Sequence, residues 1–269
     1  MTVAIKELST ADRQQWHSAI VALEKGVRYP LGDDFFEIDH GDDYFAFFDR
    51  MGTSAMYAAI DHHTLAAIGS IVMRSIPPHE ATSPRSCWYV CDLKVFHKYR
   101  RNRIPIKMFK AGFPRKYPIC PRGYAVSMNP GDGSENPVVR LAGHVKLAPV
   151  SVGAHLLFYS MSAEEIRAHR SILELHRGPI SFLSMRGIKD ILLESTQAPM
   201  PMLHLQFGPC AEAGLEEPLD EHIHMFCTPS DDPLAEAMLA IGMMPTATAT
   251  VLHHRMGDWD WSFILTNEI

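Results

Sequence analysis

The pattern of hydrophobic and polar positions divides the chain into short strands and amphipathic helices. Alternating apolar residues or runs of high β-propensity predict strands at residues 2–8, 44–48, 55–60, 65–76, 87–96, 123–128 and, for the most part, 145–159. Helical spacing predicts a helix after the N-cap residue Ser9 and further helices over 104–111 and 137–142. This order predicts an α/β mixed sheet with a strand–helix–strand crossover.

The second half of the chain repeats the end of the first half. Residues 137–150 and 233–246 each combine a helical segment, a glycine, a proline and a β-rich continuation, with further strands predicted at 201–207 and 222–227. This similarity indicates either two related units in tandem or a chance repetition of a common helix–glycine–strand pattern. We predict one domain over residues 1–150 and a second domain over residues 151–269.

Composition places the chain among ordinary globular proteins. Its 269 residues are 46% hydrophobic and 21% charged, which excludes wholesale disorder. The five cysteines form no C-x-x-C pair, so they are interpreted as reduced thiols rather than a disulfide framework or a zinc site. No segment has the pattern of a signal peptide or a membrane span. We therefore predict a cytoplasmic protein that does not bind membranes.

Charge is distributed unevenly along the chain. The net charge is −6, but residues 94–122 hold ten basic residues and no acidic one, which leaves −16 for the remainder. Residues 29–49 and 190–254 contain acidic residues and neither lysine nor arginine. Such runs are often solvated faces, but a strongly basic segment in an acidic protein indicates a local anion site. The acidic total argues against a nucleic-acid partner.

Two motifs stand out in the first half. A predicted strand ends on Asp92-Leu93-Lys94-Val95 and is followed, after a short spacer, by a turn that begins with Tyr99-Arg100. Residues 136–144 (NPVVRLAGH) then form a short helix that ends at a glycine. In this order and spacing, the motifs resemble the signature strand, turn and later helix of the GNAT superfamily of acyl-CoA-dependent N-acyltransferases. The resemblance covers about the first 150 residues.

The resemblance implies a mostly antiparallel central sheet with a splayed strand pair and flanking helices, followed by a smaller, degenerate GNAT-like unit. It also implies that strand backbone groups bind the pantetheine arm of coenzyme A and that the next loop and helix N-terminus bind its pyrophosphate. The implied cofactor is acetyl-CoA or another acyl-CoA. The implied cofactor-binding residues are Leu93, Lys94, Val95, Arg100, Arg101, Asn102, Arg103, Ile104, Pro105 and Asn136.

The chain departs from the superfamily pattern at three places. Arg103 replaces a loop glycine, and Pro105 has no N–H to offer a phosphate. Val139 or Arg140 stands where a tyrosine often protonates the leaving thiolate in the superfamily. Either the arginine and lysine side chains of the loop compensate for the lost contacts, or the loop is a relic.

Asp92 and Tyr89 are the candidate catalytic residues. Asp92 lies where the thioester is expected and can accept the proton of an amine, or it pairs with Lys94. Strict alternation along the strand predicts that Tyr89 and Cys91 lie on the opposite face from Asp92, with Leu93 and Val95. His222 and His224 share a strand face, but no third ligand follows from the spacing, so we predict no metal site.

We therefore predict an acyl-CoA-dependent N-acyltransferase, most simply an acetyltransferase, that acts on a small-molecule or amino-acid-like amine acceptor. One alternative is a catalytically inactive protein that binds or senses coenzyme A or acyl-CoA. A further alternative is a Fem-type transferase that uses aminoacyl-tRNA, for which the basic segment would hold RNA. RNA binding that weakens steeply with salt distinguishes this last function from the others.

Overall fold

The computed structural model describes residues 3–77 and 84–269, so residue 2 of the predicted opening strand lies outside the described residues. The first half contains β1 (Ala4–Glu7), α1 (Thr10–Glu24), β2 (Tyr29–Leu31), β3 (Asp34–Asp39), α2 (Ala46–Asp49), β4 (Thr53–Asp61), β5 (Thr64–Ile76), β6 (Arg85–Val95), α3 (Ile104–Lys116), β7 (Gly123–Met128) and α4 (Pro137–Ala142). The second half contains β8 (Ser151–Met161), α5 (Ala163–Arg177), β9 (Ile180–Ser184), β10 (Asp190–Leu193), β11 (Met202–Phe207), β12 (Ile223–Pro229), α6 (Pro233–Ala240) and β13 (Ala247–His254).

One ten-stranded sheet extends through both halves of the chain. Its strand order is β1-β4-β5-β6-β7-β13-β8-β12-β11-β9, and β10, β3 and β2 form a separate three-stranded sheet. Seven of the nine neighbouring pairs in the large sheet are antiparallel, whereas β6–β7 and β11–β12 are parallel. The predicted α/β mixed, mostly antiparallel sheet is confirmed.

Helices cover the two faces of this sheet. On one face, α1 and α2 pack into the largest hydrophobic core, which also contains Trp259 and Trp261 from the second half. On the other face of the first half, α3 packs through Ile104 and Met108 against β4 and β5. A separate core beneath α5 and α6 contains Leu173. In the first half, α1 and α2 therefore cover one face of the sheet, and α3 covers the other face.

The two longest helices begin with the same capping arrangement. Ser9 accepts a hydrogen bond from the N–H of Asp12, whose carboxylate accepts from the N–H of Ser9. Ser162 and Glu165 repeat this capping box at the start of α5. Each box satisfies N–H groups that the first helical turn leaves without intrahelical acceptors.

The strands that follow the two repeated helices, α4 and α6, are exchanged in the sheet. Helix α4 connects β7 to β8, and α6 connects β12 to β13, as the internal similarity of the sequence suggests. However, β13 pairs with β7, and β8 pairs with β12, while β8 and β13 also pair with each other. The strand after the first repeated helix, β8, therefore joins β12 of the second half, and the strand after the second repeated helix, β13, completes the sheet of the first half. The division into domains at residue 150 stays a prediction.

Several predicted elements differ from the structure. Residues 44–48 were expected to form a strand, but α2 begins at Ala46, and Tyr44, Phe47 and Phe48 are buried in the core. The hairpin of β2 and β3 and the helix α5 were not predicted. Helix α3 continues beyond residue 111 to Lys116 despite Pro114, because the i, i+4 stack of Phe109, Phe113 and Tyr117, with ring centroids 5.0 Å apart, supports its last turns.

Candidate functional site

The parallel strands β6 and β7 are paired at one end and separated at the other. Their register contains only the pairs Trp88–Gly123 and Tyr89–Tyr124. On its other side, β6 stays paired with β5 as far as Val95. The backbone groups of residues 90–95 that face β7 therefore have no strand partner among the described residues. This is the splayed pair that the resemblance implies, and it leaves N–H and C=O groups for an extended ligand.

A bulge in β6 changes which side chains share a face. Asp92 has a φ of 56°, and the register with β5 shifts between Ile68 and Ser70. As a result, Tyr89, Asp92 and Lys94 lie on the α1 side of the sheet. The prediction that Asp92 lies opposite Tyr89 is therefore wrong, because strict alternation fails at a residue with positive φ.

The face under α3 contains an apolar cavity of about 220 Å³. Val90 and Leu93 of β6 line it, and both are more than a third exposed, which is unusual for apolar strand residues (38% and 37%). The opposite walls come from α3, β7 and α4, through Phe109, Ala125 and Leu141. The cavity adjoins the separated part of β6 and β7.

The loop after β6 places backbone N–H groups at the start of α3. Arg101 and Arg103 have φ values of 71° and 52°, and Arg103 is the N-cap of α3. Within the described residues, the N–H groups of Arg101, Arg103 and Ile104 find no hydrogen-bond acceptor. Successive backbone N–H groups in a turn of this kind form an anion-binding concavity. Pro105 contributes no N–H, but its ring suits the first helical turn.

Replacing Arg103 with glycine is expected to stabilise the fold, because a left-handed conformation costs a residue with a Cβ atom about 1 kcal/mol or more. We expect the free energy of unfolding in urea to rise by about 1 kcal/mol. Arg100→Gly is the matched control, since Arg100 has a φ of −57°, and it should lower the stability. An increase in both variants, or in neither, would contradict a strained loop.

The ten basic residues between positions 94 and 122 differ in their exposure to solvent. Seven of the ten are exposed: Lys98, Arg100, Arg101, Arg103, Lys107, Lys110 and Arg115. Of these, only Arg115 forms an ion pair with a described acidic residue, at 4.0 Å from Glu7. Lys116 donates to Glu7 at 2.9 Å, and Lys94 is buried within the protein. The remaining positive charge is therefore concentrated around the loop and the exposed side of α3.

A buried polar cluster lies on the opposite face of the bulge. Lys94 pairs with the carboxylates of both Asp92 and Glu24, and the Tyr44 hydroxyl donates to Asp92 at 2.7 Å. The Tyr44 oxygen lies 3.1 Å from Glu24 Oε2 and 3.3 Å from Lys94 Nζ. Burial raises the pKa of Glu24, although Lys94 opposes this effect, and the two carboxylates raise the pKa of Lys94 against its burial.

We call Glu24, Tyr44, Asp92 and Lys94 the Lys94 cluster. Pairing of Asp92 with Lys94 is one of the alternatives that the sequence leaves open, whereas Glu24 and Tyr44 were not predicted. Glu24 has one weak signal, a carboxylate directly after the apolar Leu23 on the predicted helix. Nothing local connects either residue to β6.

The other candidate residues near the bulge are tightly packed. Tyr89 stacks on Tyr124 with ring centroids 4.8 Å apart, and burial raises its pKa well above the usual range. Burial likewise raises the pKa of the Cys91 thiol, so this residue lacks the low pKa of a nucleophilic cysteine. Neither side chain has a hydrogen-bond acceptor among residues 3–77 and 84–269 that would activate it.

Asn136 connects the start of α4 to the end of β7. Its side-chain oxygen accepts from the N–H groups of Val138 and Val139, at 2.9 and 3.4 Å. Its amide nitrogen donates to the carbonyl groups of Ser127 and Met128, at 3.2 and 3.1 Å. The structure therefore uses the Asn136 amide within the fold, and its role in binding a cofactor stays a prediction.

The first half has three features in the chain order that the resemblance implies. They are a splayed parallel pair, a bulge where the strands separate and a basic loop that leads into a helix. The second parallel pair of the sheet, β11 and β12, also separates after His204 and Met225. There, the rings of Phe207 and Phe226 meet edge to face at 5.9 Å within the second core.

Comparison with solved structures gives similarities of limited extent. A conserved protein of unknown function from Enterococcus faecalis has a TM-score of 0.47 and 9% identity, covering 95% of this chain and 73% of its own. Arabidopsis thaliana NAA60 in complex with acetyl-CoA has a TM-score of 0.37 and 14% identity, covering 56% and 91%. A GNAT-family acetyltransferase from Streptococcus pneumoniae has a TM-score of 0.39 and 9% identity, covering 57% and 87%. Similarities with TM-scores and identities this low do not establish an activity for this chain.

Sequence comparison adds one distant relative. The chain is 21% identical over 243 residues to an uncharacterized protein of Acanthamoeba polyphaga mimivirus, covering 84% of this chain and 68% of the viral protein. No protein-family model matches the sequence.

Membrane-spanning helices and metal sites are the two further classes of feature. None of the helices in residues 3–77 and 84–269 is long and apolar enough to cross a membrane. The same described residues contain no group of three or more His, Cys, Asp or Glu side chains arranged to hold a metal ion. In particular, His224 is fully buried, and its Nε2 accepts a hydrogen bond from the N–H of Leu219 at 3.2 Å.

Proposed function

We propose that this protein is an acyl-CoA-dependent N-acyltransferase that transfers an acyl group to a small-molecule or amino-acid-like amine. The observation that carries the proposal is the separation of β6 from β7 beside a basic loop whose N–H groups find no acceptor in the described part of the chain. A thioester with an extended, amide-containing arm and a pyrophosphate matches both parts of this site.

The proposed contacts follow from the geometry of the chain. Backbone groups between Val90 and Val95 would bind the pantetheine arm in place of the missing strand. The N–H groups of Arg101, Arg103 and Ile104 would bind the pyrophosphate, supported by the N-terminal end of the α3 dipole. The exposed cations around the loop would attract the remaining phosphate charge. Acyl-CoA would supply the activated acyl group as a thioester.

The two faces of the sheet suggest where the acceptor binds. The cavity lies under α3, whereas the Asp92 carboxylate lies on the α1 side. An amine that approaches from the α1 side would form a C–N bond as the C–S bond breaks, and the thiolate would leave. Asp92 is proposed to accept the amine proton, with Tyr89 close to the reacting atoms. Holding both substrates at one opening supplies much of the rate enhancement.

Turnover tests the activity directly. Release of coenzyme A from acetyl-CoA and longer acyl-CoAs should be measured with a panel of small amines and amino acids. The proposal requires release that depends on both the amine and the acyl-CoA. If no amine in a broad panel increases the release, the protein is not this kind of enzyme.

Arg101→Ala is expected to weaken coenzyme A binding about tenfold, because a charge-assisted hydrogen bond to a phosphate is lost. Isothermal titration calorimetry measures this affinity. The matched control is Arg186→Ala, which removes an exposed arginine from the loop between β9 and β10. The affinity should also fall with increasing salt in the unmodified protein. Equal affinities for both variants would contradict the location of the phosphate site.

A second candidate function is binding of acyl-CoA without turnover. It is favoured by the engagement of Asp92 with Lys94 and Tyr44, and by the absence of a hydroxyl at Val139. Arg140, the other residue at the expected tyrosine position, lies on the surface and pairs with Glu135 at 3.4 Å. Tight acyl-CoA binding with no amine-dependent release would identify this function.

A further inference from the structure

We propose that the cavity under α3 holds an aliphatic acyl chain, so that the preferred thioester carries a chain longer than acetyl. This inference rests on the proposed function, because it assigns the acyl group of the same site. It follows from three features, which are the direction of the strands, the extent of the cavity and the polarity of its walls.

The direction of β6 fixes where a bound thioester would end. The basic loop follows the last residue of the strand, Val95, and the strands join at Tyr89 and Trp88. An arm anchored at the loop therefore runs from Val95 towards Val90, and its thioester lies where the two strands meet.

The cavity continues beyond this junction. Besides Val90 and Leu93, its walls include Trp88 and Gly123, which form a paired step of the two strands. Cys120 also lines this end, in the turn after α3. An arm that stops at the junction leaves this end of the cavity unfilled. A longer acyl chain would extend into it.

The walls of this end suit a hydrocarbon. The Trp88 indole N–H is already bonded to the carbonyl groups of Lys116 and Cys120, at 3.2 and 3.1 Å, so the ring presents only apolar surface. The Lys116 ammonium is held by Glu7 at 2.9 Å. Gly112 lines the cavity where a Cβ atom would lie 3.3 Å from the Tyr57 ring.

The volume is also sufficient for more than an acetyl group. An apolar protein cavity of about 150 Å³ can bind benzene. The whole cavity here measures about 220 Å³; the arm would occupy the part beside Val90 and Leu93, and the end lined by Trp88, Gly123 and Cys120 is left for the acyl chain. Together with the apolar walls, this size favours a chain of several methylene groups over a polar acyl group.

A chain-length series tests the inference. Affinities for coenzyme A, acetyl-CoA, hexanoyl-CoA and decanoyl-CoA should be measured by titration calorimetry on the full chain. We expect the affinity to increase about fourfold for each methylene group that enters the cavity and then to reach a plateau. Each variant is judged by its ratio of acyl-CoA affinity to coenzyme A affinity, so that a general loss of binding does not affect the comparison.

Two variants and a control locate the chain. Cys120→Phe should abolish the increase with chain length by filling the far end of the cavity. Ile119→Phe adds the same ring at a neighbouring residue that is 67% exposed, and it should keep the increase. If Cys120→Phe does not fold, Phe113→Ala decides the question, because it enlarges the cavity and should move the plateau to longer chains.

The outcomes separate the inference from the proposed function. If coenzyme A and acetyl-CoA bind but the longer chains add no affinity, the acyl-chain pocket is refuted and the proposed function stands. If the increase persists in Cys120→Phe and the plateau is unchanged in Phe113→Ala, the chain lies elsewhere. If no coenzyme A species binds, the proposed function itself fails.

Discussion

Replacement of Lys94 by methionine is expected to lower the free energy of unfolding by about 3–5 kcal/mol. The Lys94 side chain is 6% exposed and lies between the carboxylates of Asp92 (3%) and Glu24 (4%). Removing the cation leaves these two carboxylates close together, buried and without a counter-charge. Ionising both carboxylates in the folded protein then becomes costly, and the ion pairs that they form with Lys94 on folding are lost.

Urea unfolding of both proteins at neutral pH measures the effect. Lys110→Met is the matched control, because Lys110 is exposed on α3 and forms no ion pair with a described residue, so its loss should change stability by at most about 0.5 kcal/mol. Adding Glu24→Gln to Lys94→Met should restore part of the stability by removing one carboxylate. Equal unfolding midpoints for Lys94→Met and Lys110→Met would show that the cluster contributes no net stability.

The Lys94→Met variant should also bind coenzyme A more weakly. Asp92 adopts its positive φ at the bulge where β6 separates from β7, and Lys94 holds the Asp92 carboxylate. Without this ion pair, the hydrogen bond from Tyr44 is the remaining polar contact of the Asp92 side chain among the described residues, and it alone helps to offset the conformational cost there. We therefore expect the free backbone edge of β6 to be less well ordered for a ligand.

The second large effect concerns acid stability and His40. His40 is 5% exposed, and burial, with help from Lys94 and Lys189, lowers its pKa to about 3. In the unfolded chain its pKa is about 6.5. Between these values the unfolded state binds the proton and the folded state does not, so stability decreases as pH falls. The contribution is up to about 1.4 kcal/mol per pH unit between pH 6.5 and 3.

The free energy of unfolding, measured from pH 7 to pH 4, tests this contribution. His40→Phe keeps an aromatic ring among Tyr44, Phe47 and Phe48, and it should reduce the slope of stability against pH. Carboxylates also contribute to the slope, so the comparison is the difference between variants. His63→Phe, at an exposed turn residue, should leave the slope unchanged. If the free energy of unfolding decreases equally steeply with falling pH in His40→Phe and in the unmodified protein, His40 does not cause this pH dependence.

Local sequence signals were sufficient for elements with clear boundaries. β7 and α4 have the predicted ends, 123–128 and 137–142, because proline, glycine and asparagine mark both of them. Residues 44–48 misled because aromatic residues favour strands, whereas here they are buried on both sides of a short helix. The strand prediction failed because burial in the core, which the local sequence does not show, determined the conformation.

The site could be predicted in its backbone and not in its side chains. The motif around Asp92-Leu93-Lys94-Val95 located the strand, the opening and the basic loop. It could not show that Asp92 takes a positive φ, because such a conformation in a residue other than glycine depends on contacts with the rest of the fold. Glu24 lies about 70 residues before its partner Lys94. No local pattern connects residues at that separation.

The exchange of β8 and β13 has a consequence for synthesis of the protein on the ribosome. β7 is complete about 120 residues before its partner β13 is made. At about 5–20 residues per second, the nascent chain exposes the unpaired edge of β7 for roughly 6 to 24 seconds. An open strand edge can pair with another chain, so crowded polysomes are a setting in which this protein can aggregate. Slow translation would lengthen this exposure, and a chaperone that covers β7 would shorten it.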